Sequence, residues 1–216
     1  MAFLIKEDNL QTHKEELANS ISHGIGLAGA IIAAPVLIFY AAIHGDAWAI
    51  AGTSIFITTA IILYLSSTLY HSMKTGRLKD IFQIVDHAAI FLLIAGTYTP
   101  FTFGVLKGAF GWTLFGVIWA IAAGGIILKI IIGAKYMKFW VTLYVVMGLL
   151  MILAIKPLME VMTLAGLLWI AAGGAAYILG IIFYAMPRRQ YSHFIWHLFV
   201  LSGTTCHFIA VMFHSF

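Results

Sequence analysis

The chain has 216 residues, 62% of them hydrophobic and only 9% charged, with a formal net charge of +4. Soluble domains carry about 25% charged residues, so this composition excludes a soluble enzyme, and the apolar runs leave no room for a soluble domain beside them. The basic excess does not indicate nucleic acid, because the cations fall in short loops between apolar runs, where membrane topology places them.

Residues 1–19 are polar and carry both signs of charge, unlike a cleavable signal peptide, whose basic start leads directly into an apolar core. They are read as a cytoplasmic N-terminal segment. Within it, Thr12 followed by Glu15 matches a capping box and predicts a helix starting near His13, with Leu10, Leu17 and Ile21 against the membrane surface. A frayed polar tail is the competing reading. A spanning helix needs about 20 mostly apolar residues. Seven segments qualify, at 20–43, 48–71, 82–104, 109–131, 137–155, 161–185 and 192–214. The expected fold is all-α and integral to the membrane: residues 20–216 form a seven-transmembrane bundle, with neighbours antiparallel because the connections are short. Glycines such as Gly24, Gly26, Gly124, Gly125, Gly173 and Gly174 let helices approach closely. Pro100 is placed to kink the third span. Trp48, Trp112 and Trp140 lie near span ends and fit interfacial belts.

Lys and Arg set the expected orientation. The N-terminus and even-numbered loops hold Lys6, Lys14, Lys74, Arg77, Lys79, Lys129, Lys135, Lys138, Arg188 and Arg189, and the opposite side holds only Lys107 and Lys156, ten against two. Under the positive-inside rule the N-terminus is cytoplasmic and the C-terminus outside.

That topology gathers the costly groups at one end. His71 closes span 2, Asp86 opens span 3, and His193 with His197 opens span 7, all in the cytoplasmic half. Ionisable groups within spans are expensive and point to function by default. His193 and His197 are i, i+4 and share a helix face, and Ser67 lies one turn before His71 on its face. Three neutral imidazoles leave one tetrahedral position open, the arrangement of catalytic rather than structural zinc. Bound zinc lowers the pKa of its water to about 7. In that reading Asp86 is the general base and Ser67 orients the Asp or the water. His13, His44, His87 and His214 are read as interfacial or locally satisfied, and the same reading is favoured for His23 over lining the cavity. His207 lies about 15 Å beyond His197 along a helix and is read as a packing residue. Cys206 is the single cysteine, read as a small buried hydrophobe, so no internal disulfide is available. Neither an HExxH helix, a phosphate loop nor a GxSxG elbow with triad partners occurs.

Four stretches then show a resemblance: EELANSISHGIG (Glu15–Gly26), SSTLYH (Ser66–His71), DHAAIFLLIAGTYTP (Asp86–Pro100) and HFIWHLFVLSGTTCH (His193–His207). In this order they closely resemble the bacterial hemolysin III proteins, within the wider progestin and adipoQ receptor family that includes the adiponectin receptors. The resemblance covers almost the whole chain. It implies seven helices, an internal N-terminus, zinc held at His71, His193 and His197, a water-holding aspartate at Asp86 and a serine at Ser67. It also implies grouping with alkaline ceramidases as zinc-dependent lipid amide hydrolases. The chain lacks the long N-terminal region and extended C-terminal tail of the eukaryotic receptors, so a protein-hormone receptor is not expected.

The leading expectation is a bacterial inner (plasma) membrane protein that uses Zn2+ to hydrolyse an amide or ester bond in a membrane lipid, linked to lipid homeostasis. The expected partner is membrane lipid, as substrate or ligand. The alternatives are a non-enzymatic zinc-stabilised sensor of lipid, fluidity or energetics, a pore-forming cytolysin, and haem ligation by the histidines.

Overall fold

The computed structural model describes residues 11–216. Its order is α1 (His13–His44), α2 (Ala47–Ser72), α3 (Arg77–Phe103), α4 (Ala109–Ile132), α5 (Met137–Leu149), a 3₁₀ turn (Leu150–Ala154), α6 (Ile155–Val161), α7 (Leu164–Tyr184) and α8 (Ser192–His214). No strand forms among the described residues. In hydrocarbon every backbone polar group must be satisfied within its own segment, which leaves a chain of this composition only helices. Seven helical segments are long and apolar enough to cross a membrane, with α5, the 3₁₀ turn and α6 together making the fifth.

The seven spans match the segments expected from the sequence, with two informative differences. The first is at the start. Thr12 caps α1, and the reciprocal Thr12–Glu15 box is formed. The helix then runs unbroken from His13 to His44, with no boundary near residue 20. Leu17 and Ile21 are exposed on it, whereas Leu10 lies outside the described residues. The second is at the fifth span, which continues to Val161 instead of ending at 155. Pro157 sits in α6. Its missing N–H and its ring disrupt the turn before it, which accounts for the 3₁₀ stretch over Leu150–Ala154. Carbonyls just upstream find another donor: the Tyr98 hydroxyl donates to Gly148 O at 2.6 Å and Met147 O at 3.0 Å.

Sequential helices pack in pairs, and α8 returns against α1, closing the bundle. The innermost helices are α2 and α3. They touch almost backbone to backbone at Gly52, where a Cβ would lie 2.9 Å from Pro100 Cα. Outward faces carry Ile25, Ile32, Phe39, Ile130 and Ile131, the apolar surface that lipid requires. Trp48 and Trp112 are about half exposed near span ends, as a belt requires, but Trp140 is buried. Its ring lies under the buried Lys129 ammonium at 4.4 Å, so it packs a cation instead of facing an interface. Lys129 likewise belongs to α4 and not to a loop.

At the end of the bundle away from the chain's start, Asp46 accepts from Trp48 N and Ala49 N, both at 3.0 Å, and caps α2. The Lys107 ammonium, 2.6 Å away, holds the Asp46 carboxyl below the usual carboxylate range, together with those backbone N–H groups. This exposed pair links the α1–α2 turn to the α3–α4 turn.

Candidate metal centre

Two helices bring the histidines together. His71 comes from the last turn of α2, and His193 and His197 come from the first two turns of α8. One ring nitrogen of each lies within 4.8 Å of the others, so the three could hold a metal ion. Tetrahedral zinc with Zn–N of 2.0–2.1 Å brings its nitrogens to about 3.4 Å from one another. Ring centroids are 4.7 Å apart for His193–His197 and 5.0 Å for His71 with either. The Nε2 atoms of His71 and His193 are buried and have no hydrogen-bond partner. An unpartnered polar nitrogen in an apolar interior costs roughly 1–3 kcal/mol, so a cation placed among these atoms would relieve a real deficit. The donor set therefore fits a borderline cation such as zinc.

Asp86, in the third turn of α3, is buried and lies outside the three-histidine cluster. Ser67 and Lys129 are the side chains that bear on its carboxylate. Ser67 is fully buried, with its hydroxyl turned to that carboxylate. The expected base and its neighbour are thus adjacent, and Ser67 stands one turn before His71 on α2. His87, read as interfacial or locally satisfied, is buried, and the Tyr144 hydroxyl donates to its carbonyl at 2.8 Å. A cavity of about 30 Å³, lined by Gln11, Tyr70, His87, Tyr184, Ser192 and His193 among others, opens beside the cluster. That is room for about one water.

A set of residues that spacing alone did not single out comes from α1. Glu16 accepts from His71 Nδ1 at 2.7 Å through Oε2 and from Lys79 Nζ at 2.7 Å through Oε1. His197 Nδ1 lies 3.0 Å from Ser22 Oγ and 3.2 Å from the Asn19 carbonyl. His23, read from sequence as peripheral, stacks on His197 with centroids 3.6 Å apart and planes 4° from parallel. Glu15 accepts from the backbone N–H of Tyr191 at 2.8 Å. Tyr191 is the left-handed residue (φ 56°) immediately before α8. Residues 15, 16, 19, 22 and 23 share one helical face. This polar stripe on an otherwise lipid-facing helix was the available signal. His207, as expected, packs away from the cluster, with Nε2 3.2 Å from the Ile170 carbonyl. Gly173 makes room for it: a Cβ there would lie 2.4 Å from that nitrogen.

Fold and site define a class: a seven-helix membrane protein with a histidine triad, two of its members buried and His193 partly so, able to hold a metal, at the end of the bundle where α1 begins. The chain belongs to the haemolysin-III-related family, whose model matches residues 11–208. It is 46% identical to the hemolysin-3 homolog of Bacillus subtilis over 203 residues, covering 94% of this chain and 95% of the relative. It is 45% identical to hemolysin-3 of Bacillus cereus over 201 residues, covering 93% and 92%. It is also 28% identical to the human monocyte to macrophage differentiation factor over 207 residues, covering 91% and 83%, which supports the wider progestin and adipoQ receptor family.

Proposed function

We propose that this protein is a zinc-dependent hydrolase of lipid amide or ester bonds in the bacterial plasma membrane. One observation carries the reading: three imidazoles on α2 and α8 could share an ion, and the buried Asp86, outside that ligand cluster, is hydrogen-bonded through its carboxylate to Ser67, one turn before the ligand His71 on α2. A purely structural zinc site has four protein ligands, whereas a catalytic one has three and an open position. His71, His193 and His197 would hold the ion. When bound, it would polarise a carbonyl and lower the pKa of water. Asp86 would accept the proton from the attacking water and return it to the leaving group. Ser67, beside it, has a hydroxyl to orient that carboxylate or the water. Purified protein incubated with a bacterial lipid extract should release fatty acid detectable by mass spectrometry. Zinc-loaded protein giving no product from any lipid class would defeat the hydrolase reading.

The small cavity favours a second reading. Drug-sized ligands occupy pockets of about 300–1,000 Å³, and the roughly 30 Å³ here admits no acyl chain without helix movement. In this reading zinc ties α2 to α8, and the protein senses lipid order without turnover.

The charge bias supports a cytoplasmic N-terminus and an external C-terminus. A C-terminal alkaline phosphatase fusion should therefore be active and a C-terminal green fluorescent protein fusion dark. The reverse pattern would invert the topology.

A further inference from the structure

We propose that Glu16 is a positioning residue for the metal centre: it fixes the His71 ring with its proton on Nδ1 and so presents the Nε2 lone pair to the ion. The proposal rests on the metal-site reading above. Glu16 is paired with the Lys79 ammonium at 2.7 Å. A carboxylate in such a pair can only accept hydrogen bonds, so the 2.7 Å contact to His71 Nδ1 requires that nitrogen to carry the hydrogen. A neutral imidazole has one N–H, so Nε2 then holds the lone pair. It is the ring nitrogen of His71 that has no hydrogen-bond partner among the described residues. The contact is shielded: the His71 side chain is fully buried, and those of Lys79 and Glu16 are 3% and 14% exposed.

The same helix settles a second ligand by the same reasoning. The Ser22 hydroxyl donates its one hydrogen to the Asn19 carbonyl at 2.8 Å. It can therefore only accept at His197 Nδ1, and the Asn19 carbonyl can only accept there too. His197 Nδ1 thus bears hydrogen and Nε2 is left for a metal, while His23 stacked on the ring holds its plane. Helix α1 contributes no ligand but orients two of the three. Outer partners of this kind typically account for 10–100-fold in metal affinity.

The test uses the full chain in detergent. In metal-free protein labelled with 15N-histidine, the His71 resonances are identified by their loss in His71→Gln. Wild type should show the Nδ1–H form, and Glu16→Ala should redistribute the proton toward Nε2. Zinc affinity, read by competition with a chromophoric chelator, should fall about 10–100-fold in Glu16→Ala. The double variant Glu16→Gln, Lys79→Met removes both charges but keeps a carbonyl oxygen facing Nδ1. It should restore the Nδ1–H form and bring affinity back to within a few-fold of wild type. A merely structural Glu16 would alter thermal stability and leave tautomer and affinity unchanged, which would overturn the proposal. His71 protonated on Nε2 in wild type would overturn it without any variant. If the tautomer follows Glu16 but wild type takes up no zinc, the metal reading fails and only Glu16's hold on His71 stands.

Discussion

Protein carrying His193→Ala together with His197→Ala is expected to lose its stoichiometric zinc, while wild type purified in parallel retains about one ion per chain. Both substitutions lie on one face of α8 and remove two of the three nitrogens that converge there. Losing even an outer-sphere partner costs about 10–100-fold in affinity, so losing two direct ligands should take binding out of the range that survives purification. The change has a structural consequence as well. The ion would join the end of α2 to the start of α8, and a ligand at 100 times its dissociation constant stabilises the folded state by about 2.7 kcal/mol. Chelation should therefore lower the thermal midpoint of wild type and leave the double variant unmoved. Elemental analysis of both proteins, with unfolding curves before and after chelator, checks this. Zinc retained at full occupancy by the double variant would show that the ligands are elsewhere.

Asp86→Asn is expected to separate chemistry from metal binding. The amide has the size of the carboxyl and still fits beside Ser67, but it cannot take up a proton at neutral pH. General-base catalysis contributes about 10²–10⁴-fold, so lipid hydrolysis should fall by that factor. Zinc content should stay near wild type, because Asp86 lies outside the ligand cluster. Mass spectrometry of lipid products and metal analysis on the same preparation read both quantities. Unchanged lipid turnover with zinc still bound would remove Asp86 from the chemistry and favour the sensor reading.

The haem alternative is also open to direct test, since purified protein without a Soret band would exclude it. It has no support in the geometry: three imidazoles with nitrogens within 4.8 Å of one another crowd a single small ion and do not bracket a planar ring.

Much of the site was legible because expense in hydrocarbon is local. A histidine or aspartate inside an apolar run stands out whatever the fold, and three span ends at one side of the bundle follow from counting helices and cations. His71, His193 and His197, which the structure brings together, stood out this way. Glu16 did not, because it sits among Lys14, Glu15 and other polar residues before the apolar run, where a charge looks solvated. Only when α1 proves continuous from His13 does this face turn inward, toward His71 and Lys79. His23 was set aside for a related reason: no spacing on its own helix predicts a stack with a ring 174 positions away. Trp140 and Lys129 reversed their expected settings because a buried cation over an indole depends on which neighbouring helix lies behind each.

The amino-acid order by itself determined the solvent, the number of spans and the gathering of histidines at one end, since each follows from the cost of placing particular groups in lipid. The packing of the helices alone decided which nitrogens converge, which polar groups of α1 meet His71 and His197, and how little space lies beside them. Those properties depend on distances of a few ångströms between segments far apart along the chain, and such distances leave no periodicity to read.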